Sequence, residues 1–204
     1  MNMKDIQQKI KAEETERLNA KIEVLSRGIC VDLSGIWKDC ETAGYRSYSY
    51  YAESGKGQNQ CSNTIEGSTC GILGEAASEI MFSRMGIKYS CGWRDWITGV
   101  ANDTNPDGMI GEVGQAVEVK TIKNIEYPLG QITCSMAQKY AYKNTIVVFV
   151  FIDTLNQLAY VYAMASAKDI ISTNKIEKNL KGADNFQAIG VTDMEALKVL
   201  FDPQ

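Results

Sequence analysis

The chain has 204 residues, of which 45% are hydrophobic and 23% charged, so it is long enough to form one domain around a real core. Its formal net charge of −4 argues against a protein that coats nucleic acid without selectivity, because lysine and arginine supply most of the affinity in such proteins. The chain contains no histidine, which excludes serine–histidine hydrolysis, histidine-based nucleases and zinc catalysis with histidine ligands. Any chemistry must therefore use carboxylates, lysine, tyrosine or cysteine.

Neither a membrane span nor a signal peptide is predicted. The longest strongly apolar run, residues 145–152, is far shorter than the roughly 20 residues that a membrane helix needs. Residues 1–27 carry charges throughout and lack the apolar stretch of a signal peptide. We expect a cytoplasmic protein with one domain, residues 1–204, that has an N-terminal helix within 1–28 and a catalytic core within 70–172.

The first third of the chain predicts a helix, then strands, then a loop. Residues 4–26 carry apolar side chains at helical spacing among many lysines and glutamates, which predicts an amphipathic helix. This helix either packs on the flank of the domain or serves oligomerisation. Residues 29–51 mix β-branched and aromatic residues and predict one or two strands. Residues 53–69 are rich in glycine, serine, asparagine and glutamine and predict a loop.

The remainder predicts a regular succession of helices and strands, with a turn at 102–106. In chain order the predicted elements are a helix at 70–85, strands at 93–100, 107–110 and 116–122, a helix at 129–142, strands at 146–153 and 158–163, and a helix at 165–172. The central order is thus helix, three strands, helix, strand. This order predicts an α/β protein, with a mixed sheet flanked by helices.

Two carboxylates and a lysine are predicted to meet at one edge of this sheet. Alternate residues of a strand share a face, so Glu118 and Lys120 project the same way while Val119 points into the opposite layer. Asp107 opens the preceding strand, and the short connection makes that strand the antiparallel neighbour. Two carboxylates and a substrate phosphate form an ordinary site for Mg²⁺, and the lysine is suited to position a nucleophile or stabilise the transition state.

This pattern resembles a known family. Pro106-Asp107, followed after ten residues by Glu118-Val119-Lys120, is similar to the motif of the PD-(D/E)XK nuclease superfamily. That superfamily includes many type II restriction endonucleases and the RecB-like and lambda-like exonucleases. The resemblance covers about half of the chain and implies a restriction endonuclease-like αβββαβ core. It also implies Mg²⁺-dependent hydrolysis of DNA, with Mn²⁺ as a substitute, in which Asp107 and Glu118 bind the metal.

The resemblance implies further site residues on the two neighbouring helices. Glu75 and Glu79 share one helix face, and Glu75 is expected to join the catalytic and metal-binding groups because Gly71 and Gly74 would allow a close backbone approach. Glu79 is more simply explained as part of a solvated helix face. The expected DNA contacts lie on the helix that follows the Glu118 strand and just after that strand. They are Gln131, Gln138, Lys139 and Tyr140 on the helix and Lys123 after the strand.

Aromatic residues and cysteines leave alternatives open. Trp93 and Trp96 are expected to pack in the core, with base stacking as the alternative, and the tyrosines at 45–51 are a candidate DNA-facing surface. Four cysteines, at positions 30, 40, 61 and 70, are sufficient in number for a thiolate metal site. None of their spacings is the tight one typical of such sites, so buried free thiols are expected.

Three functions remain open from the sequence. We expect a DNA nuclease similar to type II restriction endonucleases, acting on both strands as a homodimer. The second hypothesis is a lambda-like or RecB-like exonuclease in phage or recombination processing. The third is a non-catalytic DNA-binding module, which the presence of Asp107, Glu118 and Lys120 disfavours because a pure binder has no need of carboxylates facing phosphate.

Overall fold

The computed structural model describes residues 3–54, 64–99, 106–112, 114–178 and 182–201. The helices are α1 Met3–Ser26, α2 Trp37–Ser54, α3 Ile65–Arg84, α4 Trp93–Thr98, α5 Cys134–Tyr142, α6 Ala167–Ser172 and α7 Met194–Phe201. The strands are β1 Ile29–Asp32, β2 Tyr89–Cys91, β3 Gly108–Ile110, β4 Gln115–Ile122, β5 Gln131–Thr133, β6 Ile146–Asp153, β7 Leu158–Ser166, β8 Ile176–Lys178 and β9 Asp184–Gln187. In these ranges no helix combines the length and apolar character needed to cross a membrane.

The main sheet is mixed. Its six strands lie in the order β1-β7-β6-β4-β3-β2, and β2, β3 and β4 form an antiparallel meander. Strand β4 runs parallel to β6, which it reaches through α5, whereas β6 with β7 and β7 with β1 are antiparallel. Strands β5, β9 and β8 form a second, small antiparallel sheet. The predicted α/β class with a mixed sheet flanked by helices is confirmed.

Hydrophobic cores lie on both faces of the main sheet. Strand β6 shows why, because its side chains alternate: Val148 and Val150 join the core beneath α3, while Val147 and Phe149 join the core with α5 and α6. A strand that is buried on both faces has apolar residues in succession rather than an alternating pattern. The functional side chains discussed below lie where these layers meet the β3–β4 edge of the sheet.

A glycine sets the distance between α3 and β4. A Cβ atom at Gly74 would lie 2.0 Å from Thr121 Oγ1 and 3.1 Å from Val119 Cγ1, so any side chain there would push the helix from the strand. Gly71 differs, because a Cβ there meets nothing within 4 Å. The expected close approach is therefore correct for Gly74 and wrong for Gly71.

The prediction of strands across 29–51 is wrong beyond β1. Residues Trp37–Ser54 form a helix, and its buried residues, Cys40, Ala43, Gly44 and Ser47, follow helical spacing. The tyrosines that suggested strands lie mainly outside this small-residue stripe, which packs against α3. The packing stripe, rather than the β propensity of the aromatic residues, decided the structure.

Other predicted boundaries also need correction. The predicted strand at 93–100 is a helix at Trp93–Thr98, and the strand precedes it at Tyr89–Cys91. The predicted helix at 129–142 begins only at Cys134, after β5. Both ends of the predicted loop at 53–69 are helical; residues 55–63, like residues 102–105 of the predicted turn, lie outside the described residues. Strands β8 and β9 and helix α7 were not predicted.

The predicted N-terminal helix is confirmed, and its last turns pack on the domain. Leu25 is buried, and Lys21 Nζ donates hydrogen bonds to the carbonyls of three loop residues. Farther towards the N-terminus the helix is exposed, including half of Ile10. The flank-packing role thus applies to the C-terminal part of α1, and an oligomerisation role stays a prediction.

The Gly74→Ala substitution is expected to destabilise the fold by about 1–3 kcal/mol, because its Cβ overlaps the Thr121 hydroxyl in a packed layer. Gly71→Ala is the matched control on the same helix and should stabilise by up to about 1 kcal/mol, since it has room and alanine favours helix. Chemical denaturation of both variants measures the free energies. A Gly74→Ala variant as stable as Gly71→Ala would contradict the close approach.

Candidate functional site

The antiparallel pairing of β3 and β4 brings Asp107 to Glu118. Gly108 pairs with Val117, so Asp107, one residue earlier, comes opposite Glu118. The backbone N–H of Val119 donates a 2.7 Å hydrogen bond to Asp107 Oδ2. This bond holds the aspartate against the neighbouring strand, and the predicted antiparallel arrangement is confirmed.

Glu118 and Lys120 lie on the same face of β4, as predicted. Lys120 Nζ donates to Glu118 Oε1 at 2.6 Å, and both side chains are largely buried, with 28% and 20% of their surfaces exposed respectively. Val119 points the other way and is buried in the core beneath α3. Because the pair is shielded from water, its attraction is stronger than that of an ordinary surface ion pair.

Helix α5 adds Tyr140 to this pair. The Tyr140 hydroxyl donates a 2.7 Å hydrogen bond to Glu118 Oε1, and Lys120 Nζ lies 5.3 Å from the centroid of the Tyr140 ring. Burial and the Glu118 charge raise the pKa of Tyr140, so the phenol remains a proton donor. Tyr140 therefore fixes the orientation of Glu118 from the α5 layer while its ring borders the ammonium group of Lys120.

Helix α3 contributes Glu75 from the opposite layer. Burial, followed by the charges of Asp107 and Glu118, raises the pKa of Glu75 well above its ordinary value. Burial and Glu118 likewise raise the pKa of Asp107 to about 6, although the Val119 N–H and Lys120 act in the opposite direction. Glu75, Asp107 and Glu118 thus form a cluster in which the carboxylates repel one another.

The chemistry of this cluster suits a hard divalent cation. Carboxylate oxygens are the ligands that Mg²⁺ prefers, and a cation would relieve their mutual repulsion. The Oε1 atom of Glu118, however, is already bound to Lys120 and Tyr140. Within the ranges that the structure describes, no three aspartate, glutamate or cysteine side chains are placed to hold a metal ion. The donor set therefore fits Mg²⁺ in its chemistry but not in its present arrangement, in which Glu118 binds Lys120 and Tyr140.

Tyr89 is a neighbour of the cluster that the sequence reasoning missed. Its hydroxyl oxygen is buried and has no hydrogen-bond partner among the described groups. The ring lies against Gly108, because a Cβ atom added there would be 2.1 Å from the Tyr89 hydroxyl oxygen. Burial, Cys91, Glu75 and Asp107 raise its pKa. The position of Tyr89 follows from its pairing with Ile110 across β2 and β3, so it could be inferred only if the strand at Tyr89–Cys91 had been predicted.

The expected DNA contacts separate into different environments. Gln131 lies on β5 rather than on the helix, where its amide hydrogen-bonds with Glu177 and Asn185 in the small sheet. Gln138 and Lys139 are exposed on faces of α5 away from Tyr140. Of the predicted residues on α5, Tyr140 is thus the one that contacts Glu118.

Lys123 is placed beyond the end of β4, where it forms an ion pair with Glu66 of α3. The pair joins the start of α3 to the segment that follows Glu118 and Lys120. Contacts of Gln138, Lys139 and Lys123 with DNA stay predictions.

Glu79 does not form a merely solvated face. It accepts a 2.8 Å hydrogen bond from the buried Trp93 Nε1 and pairs with Arg94 at 3.0 Å. Core packing of Trp93 is confirmed, since the side chain is fully buried. Trp96 packs against Tyr50 and Tyr51 on α2. The role of the tyrosine cluster in DNA binding stays a prediction.

The described cysteines are free thiols. Burial raises the pKa of Cys40 to about 12 and that of Cys70 to about 11, so both stay protonated at neutral pH and are poor metal ligands. Cys30 is exposed, which corrects the expectation that it is buried. Cys61 lies outside the described residues.

Comparison of this chain with protein-family models, curated proteins and solved structures finds no significant match. The resemblance to PD-(D/E)XK nucleases accordingly rests on the residues and their arrangement.

The Glu75→Gln substitution is expected to stabilise the protein at alkaline pH. An acid with a raised folded pKa costs stability as the pH rises from its unfolded pKa, near 4.3, through its folded pKa. The glutamine variant escapes this cost, so its gain in Tm should be larger at pH 8 than at pH 5, at about 2–4 °C for each kcal/mol.

Differential scanning calorimetry at the two pH values measures this gain. Glu79→Gln, one helical turn away, is the control, and it should show no gain because that carboxylate is paired with Arg94. An unchanged or lower Tm for Glu75→Gln at pH 8 would show that the carboxylates do not repel one another.

Proposed function

We propose that this protein is a Mg²⁺-dependent DNA nuclease that hydrolyses phosphodiester bonds. The observation that carries the proposal is the meeting of Asp107, Glu118 and Lys120 at the β3–β4 edge of a mixed sheet, with Glu75 of α3 near enough for the charges of Asp107 and Glu118 to raise its pKa. Three carboxylates that repel one another beside a lysine suit a centre that binds a cation and a phosphate together. Acids whose pKa values are raised by burial and by one another are typical of functional sites.

The side chains would divide the work. Asp107, Glu118 and Glu75 would hold the cation, which supplies Lewis-acid stabilisation of the charge that builds on the phosphate. Lys120 would orient the attacking water or donate to the developing negative charge once Glu118 turns away from it. Tyr140 would limit how far Glu118 turns, through its 2.7 Å hydrogen bond.

The order of elements supports a restriction endonuclease-like core. Helix α3 precedes the β2–β4 meander, α5 follows, and β6 returns parallel to β4. Apart from α4 between β2 and β3 and the short β5 before α5, this order is similar to the αβββαβ order expected of PD-(D/E)XK nucleases, and the similarity supports the proposal. The location of Asp107 directly before β3, and of Glu118, Val119 and Lys120 on β4, supports the resemblance to that motif.

We favour an endonuclease similar to the type II restriction enzymes, and the lambda-like or RecB-like exonuclease remains the second candidate. The two differ in whether they need a DNA end. Covalently closed plasmid therefore separates them, because an endonuclease linearises it and an exonuclease leaves it intact. A homodimer and a cytoplasmic location belong to the proposal as well.

Wild-type protein incubated with closed circular plasmid and Mg²⁺ or Mn²⁺ is expected to cut it, and Asp107→Ala and Glu118→Ala should each lower the rate at least about a hundredfold. Glu112→Ala is the control, since this exposed carboxylate lies on the same β3–β4 hairpin and pairs with Lys88 at the surface. The assay is read on an agarose gel as discrete bands or a smear.

Each outcome decides between the candidates. Plasmid that stays closed while linear DNA is degraded supports the exonuclease. If the wild type binds DNA but cuts neither form, the protein is a non-catalytic binding module. Cleavage that survives both substitutions would disprove the assignment of the site.

A further inference from the structure

Arg94 is an exposed cation that is held in a defined position. Its Nε and Nη2 atoms donate to Glu79 at 3.4 Å and 3.0 Å, and its guanidinium carbon lies 4.4 Å from the ring centroid of Trp93. Trp93 is itself fully buried and bonded to Glu79. Even so, 56% of the Arg94 side chain is exposed. The Arg94 guanidinium is thus held in position by Glu79 and Trp93, and the rest of its surface is exposed to solvent.

This cation lies close to the carboxylate cluster. Glu79, its partner, follows Glu75 by one turn of α3, a rise of about 6 Å. Cys91 of β2 pairs with Gly108, the residue after Asp107, and Arg94 follows Cys91 by three residues at the start of α4. Arg94 therefore lies on the β2 side of the cluster, opposite the side on which Lys120 and Tyr140 meet Glu118.

We propose that Arg94 binds a phosphate of the DNA strand one or two nucleotides from the phosphate that is cleaved. This inference rests on the proposed function and assigns a second point of contact to the substrate. Successive phosphates of a strand advance about 3.4 Å along the duplex axis, so the rise of about 6 Å between Glu75 and Glu79 on α3 corresponds to one or two nucleotides.

The chemistry of Arg94 suits this role better than that of an isolated surface ion pair. A guanidinium has five N–H donors in a planar fork, and Glu79 uses the Nε and Nη2 positions, which leaves donors for a phosphate oxygen. Stacking on Trp93 holds the plane, so little side-chain entropy is lost on binding. An exposed pair made only for stability would contribute little.

The test is the affinity of a fluorescent DNA duplex, followed by anisotropy in Ca²⁺, which takes the same kind of oxygen ligands as Mg²⁺, over a range of KCl concentrations. Arg94→Ala should weaken binding and reduce the slope of log K against log [KCl] by about one. Arg94→Lys should retain most of the slope and lose affinity, because lysine keeps the charge without the planar fork. In cleavage assays with Mg²⁺, Arg94→Ala should raise KM while kcat is largely retained.

Arg27→Ala is the matched control. Arg27 is also an arginine paired with a glutamate, Glu23, and 60% of its side chain is exposed, but it lies at the end of α1. It should bind DNA as the wild type does. Equal affinity and slope in Arg94→Ala and the wild type would overturn the inference.

The two proposals fail in different ways. If Asp107→Ala abolishes cleavage while Arg94→Ala leaves affinity, slope and KM unchanged, the assignment of Arg94 is wrong and the nuclease stands. A wild-type protein that neither binds nor cuts DNA would overturn both.

Discussion

The hydrogen bond from the Val119 amide to Asp107 determines how the site is assembled. Asp107 lies directly before the first residue of β3, where the pairing of β3 with β4 begins. Its carboxylate bonds to the backbone directly between Glu118 and Lys120. The position of one functional side chain therefore depends on the strand that carries the other two, and a one-residue change of register would separate them.

The second constraint is electrostatic. Glu75 is brought to Asp107 and Glu118 by a helix that approaches β4 closely at Gly74, and burial raises the cost of keeping these carboxylates charged. Lys120 and Tyr140 offset part of that cost on one side through Glu118. A cation would offset it at the centre. The cluster of carboxylates thus lowers the stability of the fold and attracts positive charge.

The extent of sequence prediction differs between the elements. The β3–β4 hairpin, the shared face of Glu118 and Lys120 and the helix with Glu75 follow from local periodicity, so they could be predicted. Helix α2 could not, because its packing stripe consists of small residues whose significance depends on contact with α3. The same holds for α4, where burial of Trp93 against Glu79 outweighs a strand-like composition.

The site residues show the same division. Tyr140 was expected on α5, but its bond to Glu118 depends on the crossover from β4 to β6 and has no signature in the chain. Gln131 was misplaced because the small sheet joins it to β9, which is far away in sequence. Contacts between segments that are far apart in the chain cannot be inferred from a single sequence.

Isothermal titration of Mn²⁺ tests the central claim most directly, because it asks whether the carboxylate cluster holds a cation without requiring the correct DNA substrate. We predict that the wild type binds Mn²⁺ and that Glu118→Gln, which keeps an acceptor for Tyr140, binds it at least about tenfold more weakly, whereas Glu112→Gln binds it as the wild type does. No binding by the wild type, or equal binding by Glu118→Gln, would contradict the account.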